Sequence, residues 1–169
     1  PGHWSAVLTF DPHPARILRP EAAPKLLMSL SERVEQLLRL GLTRVFVHRF
    51  TPLFAQVEGE AFVRYLKHIF PALQSLHVGE NFRFGAGRRG DGPLLVRTAE
   101  AEGLRAFMHP PLCVEDGCVS SSRIREAIQA GRMEEAASLL GRAHRVGGPV
   151  VEGRQIGRTF GIPTLNLRW

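Results

Sequence analysis

Short apolar runs alternate along the chain with segments whose apolar residues recur every three or four positions. Ser5-Ala6-Val7-Leu8-Thr9-Phe10 is halted by Asp11-Pro12-His13-Pro14, the pattern of a buried strand entering a loop. In 29–40, Leu30, Val34, Leu37 and Leu38 recur at helical spacing and Gly41 closes the segment. Residues 44–48 form the next strand. A helix is expected at 59–70, with Phe62, Val63, Leu66 and Ile69 on one face. Residues 75–78 read as a strand, and 79–92 as a loop holding five glycines and three arginines. Pro93 suits the first turn of a helix running to 102, and a strand follows at 104–108. Strand and helix in alternation predict an α/β fold, a parallel sheet covered by helices.

The texture changes after Val119. Two short helices, 122–130 and 133–140, end at Gly131 and Gly141. Beyond Gly141 the chain turns β-like, through Arg145-Val146 and Pro149-Val150-Val151, and no helix is expected there. The boundary near Gly141 divides the chain into 1–141 and 142–169. The last 28 residues are too few to bury a core of their own.

Charge narrows the partners. Twenty-two basic against sixteen acidic residues give +6, which favours an anionic ligand without choosing among nucleotide, nucleic acid and acidic membrane. No apolar run reaches the roughly eighteen residues of a membrane span. The start, Pro1-Gly2-His3-Trp4, has neither the basic nor the apolar region of a secretory signal. Cys113 and Cys118 make no disulfide framework, and zinc would need further ligands. Reduced cysteines and a cytoplasmic setting are expected.

Three marked loops follow strands, where open parallel sheets bind ligands. Ser120, Ser121 and Ser122 precede a helical run, so one of them can cap it. The free N–H groups there suit a phosphate, with Arg123 or Arg125 to neutralise it. Taken alone, the same string reads as a serine-capped surface helix. The loop Gly79-Glu80-Asn81-Phe82-Arg83-Phe84-Gly85 offers a polar side chain for a base edge and two rings for stacking; the plainer reading has Phe82 and Phe84 pinning it to the core. Phe10-Asp11-Pro12-His13-Pro14 is a stiff, apolar-lined wall, or simply a turn that ends a strand. Gly153, Gly157 and Gly161 allow close backbone approach, and Thr164 and Asn166 carry oxygens of the kind Mg²⁺ accepts beside phosphates.

These motifs together resemble the bacterial bifunctional riboflavin kinase/FMN adenylyltransferase (FAD synthetase) family, over nearly the whole chain. Val7 to Pro14 is similar to its flavin-side strand and loop. The loop 79–85 is similar to its G-x-[DN]-F-x-F-G, and 119–125 to its [IV]-S-S-T-x-I-R with Ser122 for threonine. The segment 157–167 resembles the G-R-x-x-G-F-P-T-A-N-L opening of the kinase module, with Leu165 in place of alanine.

The resemblance implies a Rossmann-like nucleotidyltransferase sheet with helices on both faces, followed by the start of a β-barrel kinase module. It implies transfer of AMP from MgATP to FMN, giving FAD and pyrophosphate, in a family that also phosphorylates riboflavin. Ser120, Ser121, Ser122, Asn81 and Arg125 would bind ATP, with Arg125 offsetting charge as pyrophosphate leaves. Phe10, Pro12, Pro14, Leu18, Phe82 and Phe84 would line the flavin side. Thr164 and Asn166 would hold Mg²⁺ and ATP phosphate in the kinase module. The family's first strand and its histidine loop, expected before Ser5, do not appear in the sequence, and the kinase barrel is represented only by its opening. The chain alone is therefore expected to turn over weakly or not at all. The alternative is a non-catalytic flavin- or nucleotide-binding remnant. A nucleic-acid module ranks last, since no helix-turn-helix, zinc-finger or RRM signature is present. No membrane partner is expected, while an open sheet edge offers a route to self-association.

Overall fold

The computed structural model describes residues 4–114, 117–154, 156–162 and 164–168. Two compact units divide the chain. One comprises residues 1–9, 25–46 and 120–169, the other 10–24 and 47–119.

Strand β1 (Ala6–Asp11) pairs with β2 (Arg44–Arg49). Thr43 N donates to Ser5 O at 3.0 Å and Phe50 N to Asp11 O at 3.2 Å, so like ends meet like ends. The intervening helix α2 (Leu30–Arg39) begins in a capping box. Glu32 N donates to Ser29 Oγ and Ser29 N donates back to the Glu32 carboxylate, satisfying two otherwise orphaned amides. These bonds from Ser29 hold the Glu32 carboxyl below its ordinary value, more strongly than the fields of Arg145 and Arg142 do.

In the second unit, β3 (Ser75–Gly79) and β4 (Arg105–His109) run parallel, with Ser75 opposite Arg105 and Gly79 opposite His109. Helix α4 (Gly92–Ala101) joins them. Asp91 caps it by accepting from Leu94 N, and it packs on β4 and on α3 (Gly59–Ile69). The core of this unit is Phe50, Phe62, Val63, Leu66, Phe84, Leu95, Ala99 and Leu104. Leu95 is 1% exposed, a burial worth about 1.5–3 kcal/mol before cavity costs. In the first unit α5 (Ser121–Gln129) and α6 (Met133–Leu140) pack through Ile124, Ala127, Ala136 and Leu139. Gly141 ends α6 in the left-handed conformation, φ 66°.

The architecture is thus mixed α/β, with its strands in two-stranded sheets: β1–β2, β3–β4, an antiparallel hairpin β5 (Cys113–Val114)–β6 (Gly117–Cys118), and antiparallel β7 (Val150–Val151)–β8 (Asn166–Leu167).

Two expectations are corrected. The cysteines expected to be reduced are joined, because the hairpin register places Cys113 directly opposite Cys118. A one-turn helix, α7 (Ile156–Thr159), forms where none was expected. Thr159 Oγ1 bonds Ile156 O, and Gly161 at φ 71° reverses the chain so that Ile162 N reaches Gly157 O. No described helix is long and apolar enough to cross a membrane.

Candidate functional site

The residues expected on the flavin side, together with Asn81, all lie in the second unit; the serine motif, Arg125 and the kinase-type residues lie in the first. In the second unit, Phe10, next to last in β1, lies among aromatic rings. Its centroid is 5.5 Å from Phe50, 5.7 Å from Phe54 and 6.0 Å from His48. The Asp11–Pro12 peptide is cis. His13 then caps α1 (Pro14–Leu18), its Nδ1 accepting from Ala15 N at 3.1 Å, so the imidazole expected in a loop wall works instead as a helix cap. Pro14 opens that helix, and Leu18, at its end, is 50% exposed.

The loop 79–85 is tied down at its start by two backbone bonds and just past its end by Ala86 N donating to Val57 O at 2.8 Å. Glu80 N donates to His109 O and Phe82 N to Gly79 O, each at 2.9 Å. Phe82 and Phe84 stack with centroids 5.4 Å apart. Phe84 is buried against Phe62, whereas Phe82 is half-buried and Asn81 is exposed. Gly85 takes φ 71°, and a Cβ there would lie 2.7 Å from Gly59 N, a position only glycine occupies without strain.

In the first unit, Ser120 is the N-cap of α5, its Oγ accepting from Arg123 N at 3.2 Å. Ser121 and Ser122 occupy the exposed first turn. The two arginines of the motif have different engagements. Arg123 faces Glu135 at 3.5 Å, and Glu135 also accepts from Arg132 at 2.7 Å. That carboxyl is held below its ordinary value, chiefly by the Arg132 hydrogen bond. Arg125 donates from Nε to Lys25 O at 2.6 Å, which orients the guanidinium and uses one of its five N–H donors. Thr164 is exposed beside Gly157, and Asn166 sits opposite Val151 in the β7–β8 pair, its side-chain amide against Gly153.

Two features near these residues escaped the sequence reading. His48 Nδ1 bonds Arg49 O at 2.9 Å and its Nε2 meets Tyr65 Oη at 2.7 Å, while Phe54 packs on the imidazole at 4.2 Å. The alternation Phe46, His48, Phe50 was the available signal, but Tyr65 reaches His48 only through tertiary packing. The other feature is a pair of imidazoles, His77 and His109, on β3 and β4.

Strands joined through helices, a serine-capped helix and a glycine-rich loop after a parallel strand make a mixed α/β architecture, consistent with a nucleotidyltransferase-like domain. The chain belongs to the FAD synthetase family, whose model matches residues 1–123; the riboflavin kinase model matches 140–169. It is 35% identical over 170 residues to the bifunctional riboflavin kinase/FMN adenylyltransferase of Listeria monocytogenes, covering 99% of this chain and 53% of that protein. The Escherichia coli K12 protein of the same description is 34% identical, covering 95% of this chain and 51% of its own length. The Bacillus subtilis counterpart is 33% identical, covering 96% and 51%. The chain thus spans about half the length of the curated relatives it matches. A crystal structure from Streptococcus pneumoniae, described as a macrolide-efflux protein, aligns with TM-score 0.76 and 29% identity over 96% of this chain and 53% of that one.

Proposed function

We propose that this chain carries part of an FMN adenylyltransferase site, with its second domain, from 142 onward, contributing the opening of a riboflavin kinase module. The reaction is attack of an FMN phosphate oxygen on the α-phosphorus of ATP. A P–O bond forms there as the bond to the β-phosphate bridging oxygen breaks, giving FAD and pyrophosphate. Little covalent work falls to the protein in such a transfer; positioning and charge stabilisation dominate.

The observation that carries this reading is the start of α5. Ser120 caps the helix, the Ser121 and Ser122 hydroxyls stand exposed in its first turn, and Arg125, oriented by Lys25 O, follows one turn on. Helix-terminal amides and hydroxyls bind phosphate oxygens, and the remaining Arg125 donors stabilise the negative charge that builds as pyrophosphate departs. Arg123 is the weaker candidate because Glu135 already faces it. Asn81 contributes to the nucleotide side. Phe10, Pro12, Pro14, Leu18 and Phe82 contribute to the flavin side, and Phe84 supports them from the core.

Thr164 and Asn166 are the kinase-type pair. Both side chains are neutral oxygen donors on exposed positions, which suits a hard cation that keeps several waters and takes its other ligands from phosphates. Mg²⁺ would neutralise phosphate charge there. Dependence on ATP fits a cytoplasmic setting, and an unpaired strand edge fits self-association.

Arg125→Ala is the test. Calorimetric titration with MgATP is expected to show affinity reduced about tenfold or more, roughly the value of a charged hydrogen-bond pair. FMN affinity is expected to change less than twofold. Equal loss of both ligands, or no loss of either, would remove Arg125 from the phosphate site.

A further inference from the structure

We propose that His77 and His109 form a binding site for a late first-row divalent transition ion, copper(II) or nickel(II), on the open face of the β3–β4 sheet. In the parallel register His77 stands opposite Phe107 and His109 opposite Gly79, so the two histidines are diagonal neighbours on one face. His77 Nδ1 and His109 Nε2 are 3.0 Å apart, and the ring planes differ by 16°. Both side chains are exposed, so an ion can reach them and the rings can swing to converge on it.

The surrounding contacts supply the orientation that ligating imidazoles need. The far nitrogen of His77, Nε2, lies 3.2 Å from Ser75 Oγ. When Nε2–H donates to that hydroxyl, the lone pair is fixed on Nδ1, the atom facing His109. Phe107 stacks on the His77 ring at 4.7 Å and 16°, holding its plane, and Arg105 lies over Phe107 at 5.8 Å. In that tautomer and without metal, His77 Nδ1 accepts from His109 Nε2–H. Metal binding requires only that neutral His109 carry its proton on Nδ1 instead.

Ligand chemistry chooses the ion: imidazole nitrogens suit late first-row divalent ions, whose affinities peak at copper(II) with nickel(II) just below it. No third His, Cys, Asp or Glu joins the pair among the described residues, so water completes the coordination. The chain between the ligands gains a cross-strand clamp. Because Glu80 N is bonded to His109 O, that clamp lies at the root of the 79–85 loop.

The test is copper(II) titration of the untagged chain followed by electron paramagnetic resonance. All samples carry His3→Gln, so that the amino-terminal Pro1-Gly2-His3 sequence provides no competing copper site. One ion per chain, a signal split by two imidazole nitrogens and a higher melting temperature with copper are expected. His77→Ala and His109→Ala should each weaken binding at least tenfold. Ser75→Ala should weaken it severalfold to tenfold through the lost tautomer bond. His68→Ala, on an exposed helix face, should leave it unchanged. Copper affinity and spectrum indifferent to both His77→Ala and His109→Ala, or no binding at all, would overturn the site. Neither result bears on the adenylyl-transfer reading, since no residue of that site is altered.

Discussion

At the residue scale, side chains of one motif divide according to what already holds them. Arg123 and Arg125 are two positions apart and identical in chemistry, yet one faces a carboxylate and the other a backbone carbonyl. An arginine bonded to a neutral carbonyl keeps its full charge for an incoming phosphate, whereas one beside Glu135 has its charge partly answered. Glycines divide in the same way. At Gly85 a methyl group would meet Gly59 N at 2.7 Å from a backbone already at φ 71°. Gly85→Ala is therefore expected to destabilise the protein by about 1–3 kcal/mol, read as a lower urea midpoint with unchanged slope. A midpoint within error of the parent would show that the 79–85 turn does not need its glycine.

Elements were legible where both ends carry their own chemistry. The helical spacing of Leu30, Val34, Leu37 and Leu38, closed by Gly41, marked α2, and it spans Leu30–Arg39 with a Ser29–Glu32 capping box at its start. The serine run and Gly131 marked α5 in the same manner. What stayed hidden depended on pairing between distant positions or on turns too short for a periodic signal. The Cys113–Cys118 hairpin has only two residues per strand, and its clearest local mark is Gly117 at φ 119°. His48 with Tyr65, and His77 with His109, lie 17 and 32 positions apart. No window on the sequence joins them.

The α2 capping box makes a prediction with a sign. Glu32 has a folded-state value below the ordinary 4.5, so its contribution is complete above about pH 4.5 and is lost as pH falls through the lower folded value. Ser29→Ala removes the hydroxyl's share of that shift and the cap on Glu32 N, while the backbone N–H of residue 29 still donates to the carboxylate. It should cost about 1 kcal/mol at pH 7 and noticeably less near pH 3, as followed by denaturant unfolding at the two pH values. An equal cost at both would separate the cap from the carboxylate.

On the scale of the whole molecule, the family assignment was readable because four motifs occur in order at compatible spacing, each at the junction of a loop with a strand or helix. The β7–β8 pair and α7 are a small share of any barrel, and their sequence alone gave no hint of the helical turn. The two modules should separate by mutation. In a full-length protein carrying these residues, Thr164→Ala is expected to lower riboflavin phosphorylation at least tenfold while FAD formation from FMN stays within twofold. Loss of both activities together would argue against two independent modules.

The most direct measurement of the central proposal is flavin fluorescence of the folded chain titrated with FMN, with and without MgATP. Quenching that saturates at micromolar protein, diminishes when Phe10 is replaced by alanine and tightens when MgATP is added is the expected result. A flat titration from a sample whose circular dichroism shows the mixed α/β fold would contradict the account, leaving the motifs in place without a working flavin site.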